Sequence, residues 1–168
     1  MQMMKSGSYS VKQILKTEVH DRTENEKFFL RQHLKLNVPF FGNYEGSILN
    51  NICNQLHQRM YNKGEVIVRK GDVGNEMFVI LVGEVGVYFD DDLKHCIVEL
   101  NENKTFGDRS LQNEEVRSAY IVAHRVTVCL VLHKTDFYEQ VFHIEHLQKM
   151  KRLSYLQTLP VFKRWGLE

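Results

Sequence analysis

Cysteine is scarce and scattered: Cys53, Cys96 and Cys129 stand far apart, with no CxxC spacing. That pattern reads as reduced thiols of an intracellular protein and speaks against a disulfide framework. Long apolar runs are missing as well. The N-terminal MQMMKSGSYS has no apolar core of signal-peptide length, and no later run approaches membrane-spanning length. A cytoplasmic protein without a membrane span is expected. Charge of one sign is also missing, since 22 Lys and Arg against 21 Asp and Glu leave a formal net +1. With no strong global field, neither nucleic acid nor an anionic membrane is an expected partner. Catalytic signatures are absent too: no GxSxG, no HExxH and no phosphate-binding GxxxxGK[ST].

The eight histidines are scattered. His143 and His146 share a helical face at i, i+3 without a carboxylate or cysteine at metal-site spacing, which reads as an exposed helix surface. Lys149, Lys151 and Arg152 likewise read as a solvated face. A catalytic metal centre inside a β-roll needs several inward ligands, and the strand-like runs offer little beyond Glu99, His124 and His133. No enzyme activity, no cofactor and no resident metal are expected.

At 168 residues with 43% hydrophobic content, the chain suits one domain with appendages. From about Ser10 to Met60 it reads mostly as helix. VKQILKTEVHDRTENEKFFLRQHLK places Val11, Ile14, Leu15, Phe28, Phe29 and Leu34 at three- and four-residue steps. Pro39, Gly42 and Gly46 interrupt the helix in VPFFGNYEGS, and SILNNICNQLHQRM resumes it. From Lys63 to His133 the runs EVIVRK, MFVILVG, EVGVYF, CIVEL, YIVA and VTVCLVLH are β-like, with KGDVGNE and DDDLKH as hairpin turns of a compact antiparallel roll. TDFYEQVFHIEHLQKMKRLSYLQTL then predicts one long helix, capped at Thr135 or Asp136, with Asp136 and Glu139 at capping-box spacing. Its stripe of Phe137, Val141, Ile144, Leu147, Met150 and Leu153 suits packing on the roll or on a partner, with plain core packing favoured.

Proline occurs only twice, and each time in a like context. LKLNVPFFGNY around Pro39 resembles YLQTLPVFKRW around Pro160. A domain-length repeat is therefore expected to begin near the end of this chain.

The stretch FGDRSLQNEEVRSA, Phe106 to Ala119, holds the candidate chemistry. Gly107 permits a tight turn and close backbone approach to a ligand. Asp108 presents a carboxylate that accepts hydrogen bonds from a hydroxyl pair. Arg109 to Gln112 suit a short helical turn whose N–H groups favour an anion. Arg117, expected on the following strand, suits a charge-assisted pair with a phosphate. Taken alone, this loop also reads as a solvated hairpin with a surface ion pair.

Context alters that balance. The glycines of KGEVIVRKGDVGNEMFVILVGEVGVYF, the cassette FGDRSL, the following Arg117, Ser118 and Ala119, and VTVCLVLHKTDF occur in one order from about Pro39 to Lys151. In that order the chain resembles the cyclic-nucleotide-binding domain family of kinase regulatory regions, nucleotide-gated channels and exchange factors. The resemblance implies an α+β fold, an eight-stranded antiparallel jelly-roll-like β-roll flanked by N-terminal helices and a long C-terminal helix. It implies a helical region at 1–38 and the domain at 39–151, with the roll at about 63–133 and the helix from about 135. A linker and the start of a second repeat then fall at 152–168.

Cyclic AMP or cyclic GMP is the implied ligand. Asp108 stands where the family has a glutamate on the ribose 2′-hydroxyl, and Arg117 where an arginine pairs with the cyclic phosphate. Gly107, Ser110 and Leu111 match the turn that supplies backbone donors, Arg109 replaces a residue that is usually apolar, and Ala119 closes the match. Ser118 supplies a hydroxyl to a guanine amino group. The implied function is a sensing module that moves its helices on binding. Its implied partners are a linked or separate kinase or effector domain and a second such domain. The alternative is a homology fold without ligand that serves as an interaction scaffold.

Overall fold

The computed structural model describes residues 11–14, 16–17, 19–42, 44, 46–109, 116–139, 150–151, 153–156 and 158. A short helix α1 (Val11–Ile14) and a 3-10 turn at Val19–Asp21 lead into α2 (Glu24–Asn37). The apolar periodicity from Val11 thus spans two helices. Thr23 starts the second: its hydroxyl accepts from the Glu26 amide, and the Glu26 carboxylate accepts from the Thr23 amide at 2.8 Å. Such a reciprocal cap satisfies donors that a helix start leaves open. Pro39 and its neighbours form a 3-10 turn, Pro39–Phe41, before α3 (Gly46–Gln55).

Eight strands follow: β1 (His57–Tyr61), β2 (Val66–Val68), β3 (Glu76–Val82), β4 (Glu84–Tyr88), β5 (Cys96–Asn101), β6 (Thr105–Phe106), β7 (Tyr120–Ala123) and β8 (Thr127–His133). They make two four-stranded sheets, ordered β1-β8-β3-β6 and β2-β7-β4-β5, with every pairing antiparallel. The expected eight antiparallel strands and N-terminal helices are present.

Three local expectations need correction. His57 to Met60 are strand, not the end of a helix: α3 stops at Gln55, and β1 pairs with β8 from His57 onward. KGDVGNE does not close a hairpin, because β2 pairs with β7 in one sheet and β3 with β8 and β6 in the other. DDDLKH does join paired strands, β4 and β5. The helix after β8, α4 (Lys134–Phe137), starts before Thr135, with His133 at its N-cap and no side-chain cap bond. The long helix expected beyond it falls mostly outside the described residues.

The first sheet separates two apolar layers, because β3 and β8 alternate their side chains between its faces. Met77, Val79, Leu81, Leu130 and Leu132 pack toward the helices against Leu30, Leu34, Phe41, Leu49, Ile52 and Phe137. Phe78, Ile80, Cys129 and Val131 face the roll interior with Val68, Val85, Phe106 and Ile121. There the Phe78 and Phe106 rings stack at 4.8 Å between centroids. Strands buried on both faces read as continuous apolar runs, which is why MFVILV and VCLVL stand out in the sequence. Among the described residues, no helix is long and apolar enough to cross a membrane.

Candidate functional site

β6 ends at Phe106, whose ring is fixed in the roll interior, and the chain then turns at Gly107 with φ +75°. This left-handed conformation suits glycine and strains other residues. Space demands glycine as well. A Cβ here would stand 2.5 Å from Arg117 Nη1 and 3.0 Å from the Glu76 carbonyl oxygen.

Arg117 occupies that space. Its Nη1 donates to the Gly107 carbonyl at 3.0 Å, and its Nη2 donates to the Glu76 carbonyl at the start of β3. Its backbone is pinned too: the Arg117 amide donates to the Asp72 carbonyl at 2.8 Å, and the Gly71 amide donates to the Arg117 carbonyl at 2.8 Å. Val73 and Val116 form an isolated bridge beside this clasp. Arg117 therefore lies in the segment leading into β7, not on the strand itself as expected. Partial burial lowers the guanidinium from its ordinary value, while the carboxylates of Glu76, Asp72 and Asp108 oppose that shift. Arginine keeps its charge in such a setting.

A cavity of about 120 Å³ opens beside this turn, lined by Val68, Gly107, Asp108, Arg109, Val116, Arg117, Ser118, Ala119 and Ile121. Six of the residues singled out in the sequence thus meet around one hollow: Gly107, Asp108, Arg109, Arg117, Ser118 and Ala119. Ser110 and Leu111 lie outside the described residues. Ala119 is buried, Asp108 half-buried, and Arg109 and Ser118 exposed. A second hollow of about 430 Å³ adjoins the first, sharing Val68 and Arg117 and adding Asp72, Glu76, Phe78 and His133. Arg117 stands between the two.

Glu76 has no part in the sequence reading, yet it braces the arginine. Its carboxylate receives both Arg59 guanidinium nitrogens, at 2.8 and 2.9 Å, and His133 Nε2 lies 3.4 Å away. The Arg59 hydrogen bonds hold the Glu76 carboxyl below its ordinary 4.5, with burial opposing. A carboxylate depressed in the folded state contributes stability above its unfolded value, and that stability is lost as pH falls through the folded value. The denaturation midpoint should therefore fall as pH is lowered below about 4.5, and less steeply in Glu76→Gln. Equal slopes in the two proteins would show that Glu76 does not stabilise the fold in this way. In the sequence, the one available signal was an acidic residue placed directly before an apolar strand.

Three comparisons bear on this arrangement. The family model described as "Cyclic nucleotide-binding domain" matches residues 58–143, from β1 past the cavity and into the segment after α4. The chain belongs to the cyclic nucleotide-binding domain family.

Among curated relatives of this family, cGMP-dependent protein kinase 2 of Homo sapiens is 31% identical over 140 residues. The match takes in 81% of this chain and 18% of the kinase, so the chain spans under a fifth of that relative's length. The regulatory domain of Toxoplasma gondii PKA, solved with cAMP, superposes with a TM-score of 0.65 at 16% identity, covering 88% of this chain and 56% of that one. A regulatory subunit of a cAMP-independent protein kinase A from Trypanosoma brucei gives 0.59 at 20% identity, covering 87% and 54%. At such identities the two structures speak for the fold. The cyclic nucleotide-binding domain itself is a non-catalytic module, whatever chain carries it.

Glu99, His124 and His133, the metal-ligand types noted on the strand runs, do not converge. His133 lies by Glu76 in the first sheet, whereas His124 Nδ1 lies 3.3 Å from Glu99 in the second.

Proposed function

We propose that this domain senses cyclic AMP or cyclic GMP within a larger signalling protein, with a kinase regulatory region as the favoured setting. The observation that carries the reading is the position of Arg117, a partly buried cation between two hollows and beside the Gly107 turn. Two of the partners of its guanidinium are neutral carbonyls, those of Gly107 and Glu76. An oxyanion accepts about twice as strongly as a neutral group, so a cyclic phosphate draws the guanidinium away from these two carbonyls. Ribose hydroxyls donate to Asp108, and the base lies toward Ser118 and Ala119.

Asp108 is one methylene shorter than the family's glutamate, a loss of reach of roughly 1.3–1.5 Å on covalent geometry. Asp108→Glu is expected to tighten nucleotide binding or leave it unchanged in a competition titration. A sharp loss of affinity would remove the ribose role from Asp108.

Coupling to the helices runs, on this reading, through the start of β3. Arg117 holds the Glu76 carbonyl, and the Glu76 carboxylate faces His133, the N-cap of α4. The adjacent Asn75 carbonyl accepts from the Lys134 amide at 2.8 Å. A guanidinium drawn toward phosphate shifts this contact and biases the pose of the helix that follows, as a population shift.

The departures at the cavity, a short Asp108 with the exposed Arg109 beside it, favour a second reading, a homology fold without ligand that serves as an interaction scaffold. Melting curves with each nucleotide separate the two, because a ligand bound only by the native state raises the melting temperature with concentration. A rise with either nucleotide supports sensing. No shift with either, at concentrations far above those of the family's ligands in cells, leaves the scaffold reading.

A further inference from the structure

On the outer face of the second sheet, Cys96 and Glu99 of β5 meet His124, just past the end of β7. A Cys96 sulfur, a Glu99 carboxylate oxygen and a His124 ring nitrogen all lie within 4.8 Å of one another. The register explains the meeting. Glu99 stands opposite Gly86, Cys96 opposite Tyr88, and the His124 amide bonds the Glu84 carbonyl, so all project on one face of the sheet.

Gly86 makes the room. A Cβ there would stand 2.2 Å from His124 Nε2, so the imidazole lies across β4 only because position 86 carries no side chain. The ring is also oriented: Tyr88 Oη lies 2.8 Å from Nε2, while Nδ1 faces Glu99 at 3.3 Å and Glu84 at 3.7 Å. Arg125 pairs with the other Glu84 oxygen at 2.7 Å, which leaves Glu84 a supporting carboxylate and not a primary ligand.

We infer that Cys96, Glu99 and His124 form a binding site for a borderline-soft divalent cation, zinc first among them. Thiolate, imidazole and carboxylate together are zinc's preferred donor types. Zinc–ligand bonds of about 2.0–2.3 Å place tetrahedral ligand atoms about 3.5 Å apart, within a small side-chain rotation of the spacing here. Water completes the coordination. An ion here ties the edge strand β5 to the turn after β7 across β4. It lies on the face opposite Ile121 and the nucleotide cavity, so its test is independent of nucleotide binding.

The experiment is a titration of the reduced, chelator-treated full chain with Co2+, followed by displacement with Zn2+. The expected result is one equivalent of Co2+ with the visible bands of a tetrahedral site and sulfur-to-cobalt charge transfer, both abolished by Zn2+. Burial pushes the Cys53 and Cys129 thiols up to about 12, so the charge-transfer signal reports Cys96. Cys96→Ser should abolish that band, and His124→Gln and Glu99→Gln should each weaken Zn2+ binding by about tenfold or more. Zn2+ should raise the wild-type melting temperature and leave that of Cys96→Ser unchanged, with matching metal-free melting curves showing that the variant folds. The absence of a cobalt–thiolate signal, or Zn2+ affinity unchanged in Cys96→Ser, overturns the proposal.

Discussion

Replacing Arg117 with alanine is expected to weaken cyclic-nucleotide binding by a factor on the order of a hundred or more. Among the described residues that line the cavity, Arg109 and Arg117 are the cations, and Arg109 is exposed while Arg117 is set between the two hollows. Removing one partner of a desolvated charge pair costs about 2–5 kcal/mol, because the phosphate left behind has lost its water and gained nothing. The variant also loses the bonds to the Gly107 and Glu76 carbonyls. Each such bond contributes about 0.5–1.5 kcal/mol net, so the melting temperature should fall modestly while the roll persists. Arg117→Lys separates the effects. It keeps the charge but not the planar fork, and should bind with intermediate affinity. Equal calorimetric affinities for wild type and Arg117→Ala would remove the phosphate role from this residue.

Gly107→Ala is the second large expected effect, and it acts on binding and stability together. At φ +75° a non-glycine residue carries strain of about 1–3 kcal/mol. The added methyl group also meets Arg117 Nη1 at 2.5 Å, and the Glu76 carbonyl at 3.0 Å is backbone that yields little. The guanidinium has to leave the carbonyls that position it. Nucleotide affinity should fall by roughly tenfold or more, and denaturation should begin at lower denaturant concentration, by an amount matching the strain. Wild-type affinity in a destabilised Gly107→Ala would show that the Arg117 clasp has no part in ligand binding.

The strands legible in the sequence were those whose surroundings are written in their own residues. β3, β7 and β8 are rich in Val, Ile and Leu because the core meets them, in β3 and β8 on both faces. β1 escaped because HQRMY is largely exposed and carries no alternating apolar signal. Its strand character comes from pairing with β8, a partner far along the chain. β6 is two residues long and has no periodicity to show. KGDVGNE has the composition of a hairpin turn, and only the pairing of β2 with β7 reveals a crossing between sheets.

The candidate site divides in the same way. Gly107, Asp108, Arg109, Arg117, Ser118 and Ala119 lie close along the chain, so one stretch displays them together. Glu76 and Arg59 belong to the site's support through sheet register: β1 and β3 flank β8, which brings the Arg59 guanidinium onto the Glu76 carboxylate. No spacing in the sequence announces that pair. The outer cluster was half visible, since Glu99 and His124 were noted as ligand types, but Cys96 joins them only through the pairing of β4 with β5 and the gap over Gly86.

The central claim is that a cyclic nucleotide binds at the Gly107–Arg117 cavity. Its most direct test is an NMR titration of the isotope-labelled chain with cyclic GMP and, separately, cyclic AMP, following backbone amides and the Arg117 side-chain signals. The account predicts saturable shifts largest at Gly107, Asp108, Arg109, Arg117, Ser118 and Ala119, with the Arg117 guanidinium among the most affected and smaller changes at Glu76 and Lys134. Saturable binding whose shifts lie elsewhere, or no shift at those residues with either nucleotide, would contradict it.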